Sequence, residues 1–432
     1  MKRLQVGCTY FSKMNWWKAL AAILGALLIL PATAAQAQTF TVLHTFNAGS
    51  DGQNPTASLT VYGNGKTAYG VATFGPGGDG GGAFKLTQGG SGWVLSPLYT
   101  HVGATDSKLV IGPDGNLYGA SAYGGIQACG EGGGCGTVFM LQPPAAACAS
   151  FLCPWKQTVI YEFTDQNDGW YPDSEVIFDT AGNLYGVTEY GGTGDCGIGG
   201  SVGCGLVYKL TRSGSGWTKS TVHTFLGSTS DGAFPSGGLV FDTAGNLYGL
   251  TSIGGSSACS NGSNIGCGVL YELSPSNGGW TESIPYYFQG TNGSDPTGTL
   301  AMDPSGNLYG VADPYIFELS QPGNWSYATL YNFTHDDYPI GGLTFDRGGN
   351  LYGVTIQAGE NGYGYVYKLS LSGSSWTLSH LHDFAYADGT YANGLVSLDV
   401  NGNIYGTSNQ GGFFSENCYP ANGCGTAWEI TP

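Results

Sequence analysis

The sequence predicts an all-β fold: a seven-bladed β-propeller of four-stranded antiparallel blades, closed into a ring by its N-terminal strand. Three observations predict it. An Asp-x-x-Gly-Asn-Leu-Tyr-Gly motif, intact or worn, occurs seven times. Each copy lies among short strand-like runs divided by turn residues. One further strand-like run, residues 39–46, precedes the first copy, while the last unit lacks its final strand.

The motif is full length at Asp179–Gly186, Asp242–Gly249, Asp303–Gly310 and Asp346–Gly353. It is shortened at Asp114–Gly119, carries Ile404 for Leu at Asp399–Gly406, and is worn at Gly63–Gly70. Its chemistry is that of a turn. Asp and Asn bond their own backbone, and Gly accepts a positive φ. The carboxylates are too sparse for a calcium loop. The motif therefore joins two strands, a and b. Strand a is the short apolar run before it, such as Leu239-Val240-Phe241. Strand b begins in the motif itself. A Gly-rich loop leads to strand c, of the type Val207-Tyr208-Lys209-Leu210 or Val366-Tyr367-Lys368-Leu369. A turn, often followed by Trp (Trp93, Trp217, Trp280, Trp325, Trp376), leads to strand d, which ends near an aromatic such as Phe225 or Phe333.

The phase of the repeat sets the topology. There are seven a-b-c sets and seven d strands, but the spare d comes first, as Phe40-Thr41-Val42-Leu43-His44-Thr45-Phe46. A ring in which residues 39–46 complete the last unit removes the unpaired end; an open stack would leave it exposed. Spacing between Tyr-Gly markers varies from 43 to 67 residues. The excess falls in loops, several of which carry paired cysteines.

Residues 1–37 read as a secretory signal. Lys2, Arg3, Lys13 and Lys18 precede or flank an apolar run from Ala19 to Leu30, and Ala35-Gln36-Ala37 is a small-x-small cleavage pattern. Residues 38–432 then form a single domain. The apolar run is short for a span, so no membrane span is expected after signal removal, and export to the cell surface, the periplasm or the medium follows. The mature chain keeps 9 basic and 30 acidic residues, a formal charge of −21. That balance excludes nucleic acid and anionic membrane surfaces as partners. Ten of the eleven cysteines survive cleavage, as close pairs: Cys129 with Cys135, Cys148 with Cys153, Cys196 with Cys204, Cys259 with Cys267, and Cys418 with Cys424. In an oxidising compartment they pair as loop disulfides, and they lack the spacing of a zinc site.

The units resemble the GloVer tandem repeats of exported bacterial proteins. The resemblance rests on Gly-Asn-Leu-Tyr-Gly, then Gly-Gly, then Gly-x-Val-Tyr-x-Leu, as at Gly182–Gly186, Gly191-Gly192 and Gly205–Leu210. It extends over nearly all of 39–430. The first unit departs from it at Lys66-Thr67-Ala68, and the fifth has a short Ala312-Asp313-Pro314 loop. The resemblance implies a surface or secreted protein. It carries no established activity and so assigns no catalytic residues.

No catalytic constellation is legible. There is no Gly-x-Ser-x-Gly elbow, no His-Glu-x-x-His and no nucleotide-binding Gly loop. His44, His223 and His382 share one place in strand d, where other units have Tyr, and read as packing with a polar tip. No metal or cofactor is assigned. Strand directions put the b–c loops and the d–a crossovers on one face. Its candidate ligand-binding residues are Trp170, Tyr171, Phe234, Tyr391, Phe413 and Phe414. Aromatic rings among amides and carboxylates suit an extracellular polysaccharide or a surface protein. The expectation is a secreted, non-catalytic, monomeric binding protein. The alternatives are a carbohydrate-active lyase or hydrolase, or a purely structural surface protein. Glu131, Glu189, Asp195, Glu360 and Glu416 are the loop carboxylates that an enzyme would draw on.

Overall fold

The computed structural model describes residues 38–49, 51–74, 80–100, 107–129, 133–144, 155–164, 167–194, 196, 203–214, 216–227, 230–255, 259, 266–321, 323–334, 336–413, 418 and 422–432. The expected signal, Glu131, Asp195, Glu416 and Phe414 lie outside the described residues. So do Cys148 and Cys153, and with them the fifth of the expected disulfides.

The predicted turns form as their chemistry requires. Asp179 Oδ1 accepts the backbone N–H groups of Ala181 and Asn183 at 2.9 and 2.8 Å, and Oδ2 accepts the Asn183 amide at 2.7 Å and the Tyr185 hydroxyl at 3.2 Å. The same network recurs at Asp242, Asp303, Asp346 and Asp399. Both carboxylate oxygens are thus used within the turn. The final Gly of the motif has a packing role. A Cβ on Gly406 would lie 2.2 Å from the Trp428 ring, and one on Gly249 would lie 2.3 Å from Tyr271 Oη. Strand b gives up a side chain so that strand c can bury an aromatic.

The result is an all-β, propeller-like arrangement of sheets. Within each unit, strands pair antiparallel in chain order, as in Gly232–Phe241, Leu247–Gly254, Val269–Ser276 and Gly279–Tyr287. The strand Thr39–Thr45 pairs antiparallel with Thr426–Thr431, so the front of the chain completes the last sheet. The described strands make six sheets rather than separate sheets for each unit, because units five and six share an eight-stranded sheet. A single parallel bridge, Thr299 to Gly342, joins its halves. The reason is local: a Cβ on Gly342 would lie 2.3 Å from the Thr299 carbonyl oxygen, so only glycine lets these backbones meet.

The core lies between sheets. Each apolar cluster takes residues from successive units, and the sequence of contacts returns to its start where Leu43, Phe46 and Tyr405 pack with Leu59 and Phe84. One repeated element dominates. The Phe that follows strand d meets the strand-c aromatic of the next unit. The pairs are Phe46–Phe84, Phe163–Tyr208, Phe225–Tyr271, Phe288–Phe317, Phe333–Tyr367 and Phe384–Trp428, with centroids 5.0 to 5.6 Å apart. Disulfides link Cys129–Cys135, Cys196–Cys204, Cys259–Cys267 and Cys418–Cys424. They do more than close loops. The carbonyl of the second cysteine accepts the N–H of the crossover residue leading into the next unit: Cys135 from Tyr171, Cys204 from Phe234, Cys267 from Asp295 and Cys424 from Asn54. Among the described residues no helix is long and apolar enough to cross a membrane.

Candidate functional site

The crossovers end in a backbone device that recurs around the ring. Asn54, Tyr171, Phe234, Asp295, Tyr338 and Tyr391 all have positive φ, between 47° and 63°. All but Tyr391 precede proline. Such strain in non-glycine residues needs support from its surroundings and concentrates at functional sites. Directly after it, the starts of strands a converge on a cavity of about 250 Å³. One side is narrow, because Gly237, Gly298, Gly341 and Gly394 bring successive backbones together. The other carries Lys108, Asp173 and Glu175. Glu175 Oε1 accepts the Thr299 hydroxyl at 2.6 Å, and Thr299 Oγ1 in turn accepts the Gly238 N–H at 2.9 Å.

An aromatic cluster lies near Asp173 on this wall, whose charge reaches Tyr190. Tyr190 meets Trp170 at 4.8 Å, Phe234 at 5.1 Å and Tyr171 at 5.7 Å, while Tyr171 meets Tyr123 at 5.2 Å. Glu189, at the end of strand b, is part of it. Burial pushes its carboxyl above the ordinary carboxylate range; a hydrogen bond with Tyr190 opposes the shift and the Asp295 charge adds to it. The Tyr190 hydroxyl is also raised, by burial and by Glu189, with Asp173 contributing.

Three of the predicted binding residues, Trp170, Tyr171 and Phe234, therefore come together. Phe234 is buried within the cluster, whereas Trp170 and Tyr171 are half-buried. Tyr391 and Phe413 are exposed, but they belong to the last unit, outside this cluster. Of the predicted carboxylates, Glu189 joins the site. Glu360 instead sits in a loop where its N–H donates to Asp383.

The histidines pair with crossover aspartates. His44 Nε2 lies 2.8 Å from Asp51 Oδ2, and His382 Nε2 lies 3.1 Å from Asp388 Oδ2. His223 departs from this pattern. Its Nε2 is 3.8 Å from Asp231 Oδ1 and 3.2 Å from Glu282 Oε1. Burial pushes Glu282 up to about 7; the His223 charge pulls it down and Asp231 raises it. These three residues offer ligand atoms within 4.8 Å of one another, a set able to move a proton or hold a metal ion. Sequence reading missed Glu282 because it looks like a surface residue on an outer strand. The signal that would have found it is its alignment with Lys219: both stand two residues after a strand-d tryptophan.

Comparison with solved structures shows the same fold in a streptogramin B lyase (13% identity, TM-score 0.54, covering 91% of this chain and 97% of that one). It shows it again in virginiamycin B lyase from Staphylococcus aureus (11%, 0.52, covering 91% and 99%). A catalytically inactive variant of that lyase with quinupristin matches similarly (13%, 0.53, covering 91% and 99%). Likeness at this identity establishes the fold. No curated protein matches the sequence. The expectation of a non-catalytic binding protein is corrected by the side chains that the fold brings together. It rested on the absence of an acid–base or metal set, and the fold assembles one from His223, Asp231 and Glu282 across two units. Residues 29–198 match the family model described as the Gloeobacter/Verrucomicrobia repeat.

Proposed function

We propose that the mature chain is an exported, monomeric carbohydrate-active enzyme. Its fold is a seven-bladed propeller closed by the N-terminal strand, and it acts at the axial cavity. One observation carries this reading: a carboxyl shifted toward its protonated form, Glu189, stands in an aromatic cluster whose Tyr190 feels the charge of Asp173, and Asp173 lines the cavity with Glu175. Glycoside hydrolysis uses such a division of labour. Glu189 donates a proton to the leaving glycosidic oxygen. Glu175, oriented by Thr299, takes the proton of the attacking water, so the bond to the leaving sugar breaks as the bond to water forms. Trp170, Tyr171 and Tyr190 offer flat faces to the apolar sides of the rings. The acidic wall and the charge of −21 favour hydrolysis of an uncharged glycan over elimination from a polyuronate.

The test is release of reducing ends from a panel of neutral and acidic polysaccharides by residues 38–432. Cleavage of a neutral glycan is expected, with kcat reduced about 10²- to 10⁴-fold in Glu189→Gln. Failure to cleave any polysaccharide, or full activity in both Glu189→Gln and Glu175→Gln, overturns the reading.

A further inference from the structure

The rim cluster of His223, Asp231 and Glu282 is independent of the axial cavity and supports a separate inference. Successive units place the same backbone under different side chains. In the third unit, Lys219 pairs across the ladder with Leu210; in the fourth, Glu282 pairs with Leu273 in the equivalent register. Each side chain reaches the crossover aspartate that precedes its own unit. Lys219 Nζ lies 2.8 Å from Asp168 Oδ1 and supplies positive charge to this half-buried carboxylate. Glu282 supplies a second negative charge to Asp231 instead. Asp231 is fixed in place: Oδ1 accepts the Gly232 N–H at 2.6 Å and Oδ2 accepts the Leu226 N–H at 2.7 Å.

The consequence is visible at His223. At the same strand position His44 and His382 bond their aspartates at 2.8 and 3.1 Å, whereas here the distance opens to 3.8 Å. His223 Nε2 and Glu282 Oε1 are both buried and both lack a hydrogen-bond partner. Buried polar atoms are normally satisfied, so two that touch at 3.2 Å without an aligned hydrogen bond, beside a third carboxylate, point to a shared group. A cation suits this position, because an imidazole nitrogen and two carboxylates face it together.

We propose that His223 Nε2, Asp231 Oδ1 and Glu282 Oε1 bind one divalent transition-metal ion of the zinc class, linking the third and fourth units. Ligands about 2.0–2.2 Å from a tetrahedral zinc lie roughly 3.3–3.6 Å apart. The 3.2 and 3.8 Å separations bracket that value, and all three ligand atoms lie within 4.8 Å of one another. An imidazole among carboxylates selects a transition metal over magnesium or calcium. The backbone N–H groups on Asp231 hold its carboxylate in orientation, as partners of metal ligands commonly do. Three protein ligands leave a fourth tetrahedral position for a water or another small donor.

The experiment is a titration of metal-stripped, folded residues 38–432 with Zn²⁺, Co²⁺ and Mg²⁺, read by equilibrium dialysis, thermal midpoint and the visible Co²⁺ spectrum. One Zn²⁺ per chain is expected, with a raised midpoint, a tetrahedral Co²⁺ spectrum and no effect of Mg²⁺. Glu282→Gln should weaken zinc binding at least tenfold. Glu282→Lys, which recreates the Lys219 arrangement, should abolish it in a folded protein. Absence of zinc binding to the folded wild-type chain overturns the proposal, as does undiminished binding in Glu282→Gln or Glu282→Lys.

Discussion

Replacing Phe46 by alanine tests whether the N-terminal strand is a full member of the ring. Phe46 is fully buried and packs edge-on against Phe84 at 5.2 Å, the same contact that Phe225 makes with Tyr271 at 5.0 Å. A phenylalanine of this kind buries on the order of 150 Å² or more. At ~25 cal/mol per Å² that is about 4 kcal/mol, in line with the 3–5 kcal/mol typical of Phe→Ala in a core. In a closed ring the two positions are equivalent, so Phe46→Ala and Phe225→Ala should lower stability by similar amounts, each about 4 kcal/mol. Guanidinium unfolding followed by fluorescence reads both. The decisive comparison is the ratio. If Phe225→Ala shifts the midpoint strongly and Phe46→Ala leaves it unchanged, the N-terminal strand contributes nothing and the closure is wrong.

Three further outcomes follow from the same contacts. Deleting residues 39–46 exposes the edge of Thr426–Thr431, so the truncated protein should lose stability and self-associate in size-exclusion chromatography; an unchanged monomer profile counts against closure. Lys219→Met should cost about 2 kcal/mol near neutral pH, because it removes the charge partner of the half-buried Asp168 carboxylate, which keeps its hydrogen bonds from Tyr161 and Thr164. Burial raises Asp168, but the Lys219 hydrogen bond and charge outweigh it and hold it below the ordinary range; the pair's stabilisation is therefore full above about pH 3.9 and lost as pH falls through the lower folded value, and a variant with the wild-type acid profile refutes this assignment. Glu189 titrates in the opposite sense: its raised folded value makes stability decline as pH rises from about 4.3 through that value, so Glu189→Gln should flatten this slope in thermal unfolding, and an unchanged slope would show that Glu189 does not carry it.

The parts of the fold legible in the sequence were those written in local chemistry. Asp242 and Asn246 announce a turn because their side chains close it, and every atom involved lies within a few residues. The offset strand at 39–46 was legible because counting strands needs no distances. The close cysteine pairs were legible as rings too small to reach elsewhere. What escaped was contact between units. Phe234 reads as an exposed loop aromatic, yet the neighbouring Tyr190 and the Cys204 carbonyl draw it into the core. The joining of units five and six hangs on one backbone approach at Gly342, in a chain with 76 glycines and no local mark to single this one out.

The rim site shows why repetition hides function as well as revealing fold. His223 looks structural because His44 and His382 occupy the same place and are structural, each bonded to one aspartate. A repeated position is read by its majority, and the majority reading fails where one neighbour changes. That neighbour, Glu282, comes from the next unit and is 59 residues away in the chain. Its charge matters only because the repeat returns it to the place where Lys219 meets Asp168 one unit earlier. A repeat fold can therefore acquire a site by a single substitution: the backbone already aims the side chain, and only the sign of its charge must change. The search that finds such sites compares each position with its counterparts in adjoining units and looks for an inverted charge beside a buried group.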